Sequence, residues 1–419
     1  MSALDKLLPD NPYDVKANII LCNHNQKTYT MNMIIKKKFN MNKLKIKALL
    51  SKIMNISTLE YAISYIVAFM MIALLAWKLG CTVSSQSRLP MANWTTFSMA
   101  PFGGSVNLRP EWAARPIPTE SWILFSTIMK QILNFLVPSW SILLTYNLWF
   151  FVQLTILSCC ATLCIMYVLK DKHPFLVGLL KLFPLVANVN CLLIFVYYFG
   201  AVSTTILTYD LPTISFTFLL FTSIFSFLDR PNKRKFVYLI LFIVPLIFVK
   251  ETLLLPVFIL IMILLMDNHF SNNKYYSVSL LLTLAFAIGL QTFYVFIILK
   301  LSPLDWFALK SKYTINNQPL MVMNLNSIAG KNWEGYALKN PLIFISPIIL
   351  GIILLRDDDM LDDKKRLLII VSSFLFVLIS LMFGVINESR LLLEYSSLII
   401  NLLLSKKVYS AFLENSGAL

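Results

Sequence analysis

The residues best equipped for chemistry sit in short polar stretches between long apolar runs. Arg109, Glu111 and Arg115 share one stretch, Tyr209 and Asp210 a second, Lys250 and Glu251 a third, Glu388 and Arg390 a fourth, with Glu394 one turn further on. A carboxylate can act as general base toward a hydroxyl acceptor, or hold a divalent cation through hard oxygen ligands. Guanidinium groups clamp phosphate through paired N–H donors, and a lysine adds a point charge. Tyr209, Trp112, Trp306 and Trp333 offer flat faces that suit sugar rings. Gathered at a lipid-facing cleft, this set suits a sugar linked to a lipid phosphate. The histidines, His24, His173 and His269, all fall in segments read as cytoplasmic, and no nucleophile motif is present. That disfavours a serine- or histidine-based hydrolase.

Each of these residues has a plainer reading as well. Asp210 before Leu211–Pro212 is an ordinary helix start, with an acidic cap and proline in the first turn. Lys250 and Glu251 could neutralise one another, and Glu388 with Arg390 could pin a hairpin. Arg109 and Arg115 could be loop charges held by prolines, and Trp306 and Trp333 aromatic-belt anchors. The run Asp357–Asp358–Asp359 with Asp362 and Asp363 lacks the glycine and ligand spacing of a calcium loop, and reads as a solvated turn.

The elements that must position these groups are set by composition. Of 419 residues, 58% are hydrophobic and 14% charged, and mean hydropathy is +0.72. A soluble chain carries about a quarter charged residues. Most of the apolar runs are long enough to cross a bilayer core, which needs roughly 20 residues. The expected fold is therefore all-α: a polytopic transmembrane helical bundle of about 10 spans, with two large outer loops and an interfacial amphipathic helix. A secreted enzyme, a nucleic-acid-binding domain and a cytosolic Rossmann enzyme are excluded as the main body. The net charge of +15 comes largely from lysines that crowd the first 52 residues and recur between apolar runs. That distribution is the positive-inside pattern, not a nucleic-acid footprint. Six cysteines, mostly within spans, give no disulfide framework.

The chain divides into three parts: a basic cytoplasmic segment 1–60, a transmembrane domain 61–404, and a cytoplasmic tail 405–419. No cleavable signal peptide is visible, because the first apolar run begins only near residue 61. Outer loops occupy 81–140 and 301–340. Within the first, 121–136 places Thr127, Lys130, Gln131 and Asn134 on one stripe, the pattern of a helix lying in the interface. The run 236–266 is broken only by Lys250–Glu251; as one helix it would span about 46 Å, well beyond a ~30 Å core. Two short crossings meeting at Lys250–Glu251 fit better. Both termini then lie inside, in a multi-pass protein of the inner (plasma) membrane, and the reactive groups collect on the outer face.

The order of elements resembles that of bacterial polytopic membrane glycosyltransferases of the GT-C class. The resemblance rests on Asn107–Leu108–Arg109–Pro110 with Arg115–Pro116 in a long first outer loop followed by an interfacial helix. Tyr209–Asp210–Leu211–Pro212 opens one later span, Lys250–Glu251–Thr252 opens another, and Asn387–Glu388–Ser389–Arg390 forms a late turn. It covers the layout of about residues 60–404. The class implies transfer of a sugar from a polyprenyl-phosphate or polyprenyl-diphosphate carrier to a cell-envelope glycan acceptor, on the non-cytoplasmic side. Asp210, Glu251 or Glu111 would then be the base or a metal ligand; Arg109, Arg115, Lys250 and Arg390 would neutralise carrier phosphate, beside Tyr209 and Glu388. A divalent cation could assist, and the partners would be the bilayer, the lipid-linked sugar and the acceptor, with no nucleic acid. The chain departs from the class in one respect: the first outer loop, 81–120, contains no aspartate, only Glu111 and Glu120. An O-antigen or capsule repeat-unit polymerase would use the same face. From another class, a transporter or flippase would instead use polar groups inside spans, such as Asn188, Asn190 and Gln291.

Overall fold

With no water to satisfy their backbone in a bilayer core, the apolar runs close their own hydrogen bonds as helix. The computed structural model describes residues 58–85, 116–169, 175–199, 210–267, 273–298, 314–315, 318–328, 342–356, 361–383 and 390–409. By contacts the chain divides into Met1–Tyr61 with Leu419, and Ala62–Ala418. The helical bundle belongs to the second unit.

The protein is an all-α membrane protein. Its helices are α1 (Thr58–Ser85), α2 (Pro116–Leu136), α3 (Ser141–Val168), α4 (Phe175–Phe199), α5 (Asp210–Asp229) and α6 (Lys233–Leu246). They continue as α7 (Leu255–Met266), α8 (Asn273–Phe293), α9 (Leu320–Ile328), α10 (Leu342–Arg356), α11 (Asp363–Phe383) and α12 (Arg390–Leu404). Among the described residues, strand is confined to β1 (Thr314–Ile315) and β2 (Gln318–Pro319), an antiparallel pair with Thr314 opposite Pro319. Among the described residues, six helices are long and apolar enough to cross a membrane, those within α1, α3, α4, α5, α8 and α11. Shorter apolar helices lie at Thr252–Met266, Ile345–Arg356 and Leu392–Leu404.

The run 236–266 does break at Lys250. Pro245 disturbs the last turn of α6, the chain turns at 247–249, and Pro256 sits in the first turn of α7. The two arms run in opposite directions along α8. Phe236, near the start of α6, packs its ring 4.6 Å from that of Tyr276, near the start of α8. At the other end, Gln291 of α8 donates to the Ile247 carbonyl at 3.3 Å. So α6 runs parallel to α8. The start of α7, at Leu255 and Phe258, lies instead against Leu284 and Ile288, well along α8, so α7 runs antiparallel.

The bundle thus has two ends. At one, the Tyr167 hydroxyl donates to Asp229 at 2.6 Å, Lys365 pairs with Asp229, and Lys364 pairs with Asp267. These contacts tie the start of α11 to the ends of α3, α5 and α7. At the other end stand Asp210, Lys250 and the start of α12.

Helix α12 is enclosed by the rest. Leu392, Leu393, Leu398, Ile399 and Leu402 are buried, and so are its polar residues Glu394, Ser396, Ser397 and Asn401. The polar groups find partners across the bundle. Asn190 of α4 accepts from Ser397 at 2.8 Å and from Asn401 at 2.9 Å, while Tyr197 donates to Ser396 at 2.6 Å. Such contacts hold membrane helices together where lipid supplies no hydrophobic drive.

Close approach on the other side of α12 depends on Gly351 of α10. A Cβ there would fall 1.9 Å from Ile399 Cγ2, a branched methyl with little freedom to move. Gly351→Ala is expected to destabilise the protein by about 1–3 kcal/mol in thermal or chemical unfolding. Ile399→Ala removes the obstructing methyl, so it should cost less in the Gly351→Ala background than in wild type. Equal costs in both backgrounds would show that the helices are not in register at this point.

Candidate functional site

Lys250 ends one arm and begins the next, so its side chain emerges at the tip of the α6–α7 hairpin. Its backbone is extended (φ −167°, ψ 134°) and its N–H still bonds the Leu246 carbonyl at 3.0 Å, fixing it to α6. The ammonium donates to Glu394 Oε2 at 2.7 Å, with side-chain exposures of 12% for Lys250 and 2% for Glu394. The other carboxylate oxygen, Oε1, accepts from Thr217 at 3.1 Å. The lysine also lies 5.6 Å from the centroid of Phe376, whose ring stacks on Tyr395 at 4.5 Å. A cation over an aromatic face gains further stabilisation when desolvated. Four elements therefore converge on one ion pair: the hairpin tip, α5, α11 and α12.

Asp210 opens α5 in the first helical turn, where a negative charge is favoured by the helix dipole. Its Oδ2 accepts from the Tyr198 hydroxyl at 3.0 Å, which joins the end of α4 to the start of α5. Asp210, Thr213 and Thr217 share a helix face by their spacing, and Asp210 stands about 10 Å along the axis from Thr217. Asp210 and the Lys250–Glu394 pair thus belong to the same end of the bundle.

Beside Lys250 an apolar groove of about 310 Å³ runs between α7, α8 and α11, lined by Thr252, Leu254, Leu255, Phe258, Leu284, Ile288 and Ile379. Phe258 and Ile288 are 44% and 51% exposed, so the groove opens sideways, where lipid would be. At its head the Thr252 hydroxyl is buried without a hydrogen-bond partner. Helix α2 also reaches the hairpin tip: the Ile117 N–H donates to the Phe248 carbonyl at 3.4 Å. Helix α2 grips α3 through Trp122, 4.9 Å from Tyr146, and Phe125, 5.2 Å from Trp149. Its opposite side leaves Leu124, Ile128, Ile132 and Phe135 exposed.

The candidates from the sequence divide accordingly. Lys250 and Asp210 lie at one end of the bundle. Glu251 opens the 3-10 turn after Lys250, and Arg390 opens α12. Arg109, Glu111, Arg115, Tyr209 and Glu388 lie outside the described residues, as do Trp112, Trp306 and Trp333. Lys250 reaches past its sequence neighbour to Glu394, 144 residues away. Glu394 had a local signal: it begins the stripe Glu394, Ser397, Asn401, Ser405 along an otherwise apolar helix. Asn190 and Gln291 act as ties between helices. Among the described residues no three His, Cys, Asp or Glu side chains come together as a metal site.

Comparison with protein-family models, with curated proteins and with solved structures finds no match for this chain.

Proposed function

We propose that this protein is an integral-membrane glycosyltransferase, which moves a sugar from a polyprenyl-linked donor to a cell-envelope glycan acceptor on the non-cytoplasmic face. The observation that carries this reading is Lys250, a partly exposed cation two residues before Thr252, which lines an apolar groove that opens sideways. An amphiphile with an anionic head and a long apolar tail is the ligand that such a pairing suits. An ammonium has three N–H donors. Glu394 takes one, and the others remain for a phosphate oxygen.

In the reaction the acceptor hydroxyl attacks the anomeric carbon of the donor sugar, and the bond from that carbon to the carrier phosphate breaks. Asp210 takes the hydroxyl proton; Glu111 and Glu251 are the alternative bases. The phosphate leaves with its negative charge, and Lys250 stabilises that charge with Arg109, Arg115 and Arg390, the usual electrostatic share of such chemistry. The Lys365 end, with the basic stretch Arg230–Lys235, faces the cytoplasm of an inner-membrane protein, and both termini lie on that side.

The test compares surface polysaccharide from a null strain complemented with wild type or Asp210→Asn, at matched protein levels. Repeat-unit mass and chain length are read together. Transfer by Asp210→Asn is expected to fall about 10²–10⁴-fold, with one sugar missing from each unit as in the null. Loss of long chains with intact units would instead identify a polymerase. A normal Asp210→Asn beside a defective null would move the base to Glu111 or Glu251. No change in the null would sink the glycan reading.

A further inference from the structure

We propose that the starts of α6 and α8, at the Lys365 end, form a binding surface for anionic phospholipid, independently of the reaction proposed above. The described acids at this end are already engaged: Asp229 and Asp267 by Lys365 and Lys364, Asp362 by Lys365 at 3.1 Å, and Asp363 by Arg366 at 3.6 Å. Lys235 turns inward and donates to the Ser226 carbonyl at 2.6 Å. Lys233, Arg234 and Lys274 are exposed, and no described acid pairs with them.

These cations lie side by side because α6 and α8 run parallel. Phe236, three residues after Lys233, packs 4.6 Å from Tyr276 and 6.3 Å from Tyr275, the two residues that follow Lys274. Neighbouring parallel helices also bring two positive helix ends together, which adds to the field of the side chains. The surface therefore needs counter-charge from outside the described residues.

The shape of the counter-charge is set by the next helical turn. Residues four apart share a helix face. Lys233 stands over Val237, Arg234 over Tyr238 and Lys274 over Val278, and those three are 50%, 64% and 54% exposed. Leu241 and Leu282 extend the apolar faces one turn deeper, each 65% exposed. Cations above, a tyrosine at the boundary and an aliphatic strip below match a phosphodiester headgroup with its acyl chains. A free phosphate would satisfy the cations and leave the strip unused.

The full-length protein, released from detergent, is examined by native mass spectrometry after equilibration with phosphatidylglycerol or phosphatidylcholine of identical chains. Wild type is expected to retain phosphatidylglycerol preferentially. Basic residues near an anionic surface each strengthen binding several-fold. Lys233→Gln/Arg234→Gln/Lys274→Gln should therefore reduce the preference by about 10–100-fold. Lys233→Arg/Lys274→Arg should keep it, and so should Lys130→Gln on α2. Should the triple variant fail to insert, Lys274→Gln and Lys274→Glu carry the test, with the glutamate expected to lose more. An unchanged preference in these variants would overturn the proposal, as would an equal loss in Lys130→Gln. Displacement of the bound lipid by millimolar inorganic phosphate would also overturn it, in favour of a free-phosphate site.

Discussion

Lys250→Met is expected to cost about 3–5 kcal/mol of stability, because it leaves the Glu394 carboxylate buried without its cation. Glu394 is 2% exposed, and the hydroxyl of Thr217 would be its remaining described side-chain partner. The reverse change should be milder. In Glu394→Gln the amide oxygen can still accept from Lys250, and the ammonium keeps its place over Phe376 and its access to the surface. The double variant Lys250→Met/Glu394→Met should recover most of the loss, since replacing both ions by apolar groups of similar size is often neutral or better. Denaturant unfolding in detergent micelles, followed by tryptophan fluorescence, gives all three values. If the double variant costs the sum of Lys250→Met and Glu394→Met measured singly, the two residues do not interact. The same series bears on function: a double variant that is stable yet inactive would separate the role of Lys250 in substrate binding from its role in packing.

At the far end a comparable loss, about 3–5 kcal/mol, is expected for Lys365→Met. Lys365 is 6% exposed and pairs with Asp229, which is 21% exposed and also accepts from Tyr167. Its second acid gives a built-in control. Asp362 is 60% exposed and sits only three residues earlier on the same segment. Asp362→Asn should therefore cost less than about 1 kcal/mol, the range of exposed pairs. Two lysine contacts at one nitrogen would thus differ several-fold in worth. Equal losses for Lys365→Met and Asp362→Asn would place the energy in the local turn, not in the tie from α11 to α5.

How much of this the sequence disclosed depends on distance along the chain. The break at Lys250–Glu251 was legible because a single helix through 236–266 would be too long, and Pro245 and Pro256 flank the interruption. The start of α5 was legible at Asp210–Leu211–Pro212, where acid and proline mark a first turn. The helix expected at 121–136 begins earlier, at Pro116, since proline fits the first helical position, where its missing N–H is no loss. The partner of Lys250 was not legible. Local spacing gives Glu251 as a candidate, and only the fold brings α12 across to supply Glu394. The sequence likewise shows Asn190 as a polar residue within a span, but cannot say that Ser397 and Asn401 await it. Periodicity shows which face of a helix is polar; it does not show which helix that face will meet.

The enclosure of α12 has a consequence for synthesis. It is the last of the described α-helices to leave the ribosome, yet it supplies partners to α4, α5 and the hairpin tip. With 144 residues between Lys250 and Glu394, elongation at about 5–20 residues per second leaves the lysine waiting roughly 7–30 s. During that interval the cleft that will receive α12 stands open, with Asn190 and Thr217 on its walls. The nascent bundle must be shielded there by water, lipid headgroups or the insertion machinery. Arrival of one helix with a polar stripe then closes the assembly, so a pause in translation ahead of it would lengthen the period in which the chain is exposed to membrane quality-control proteases.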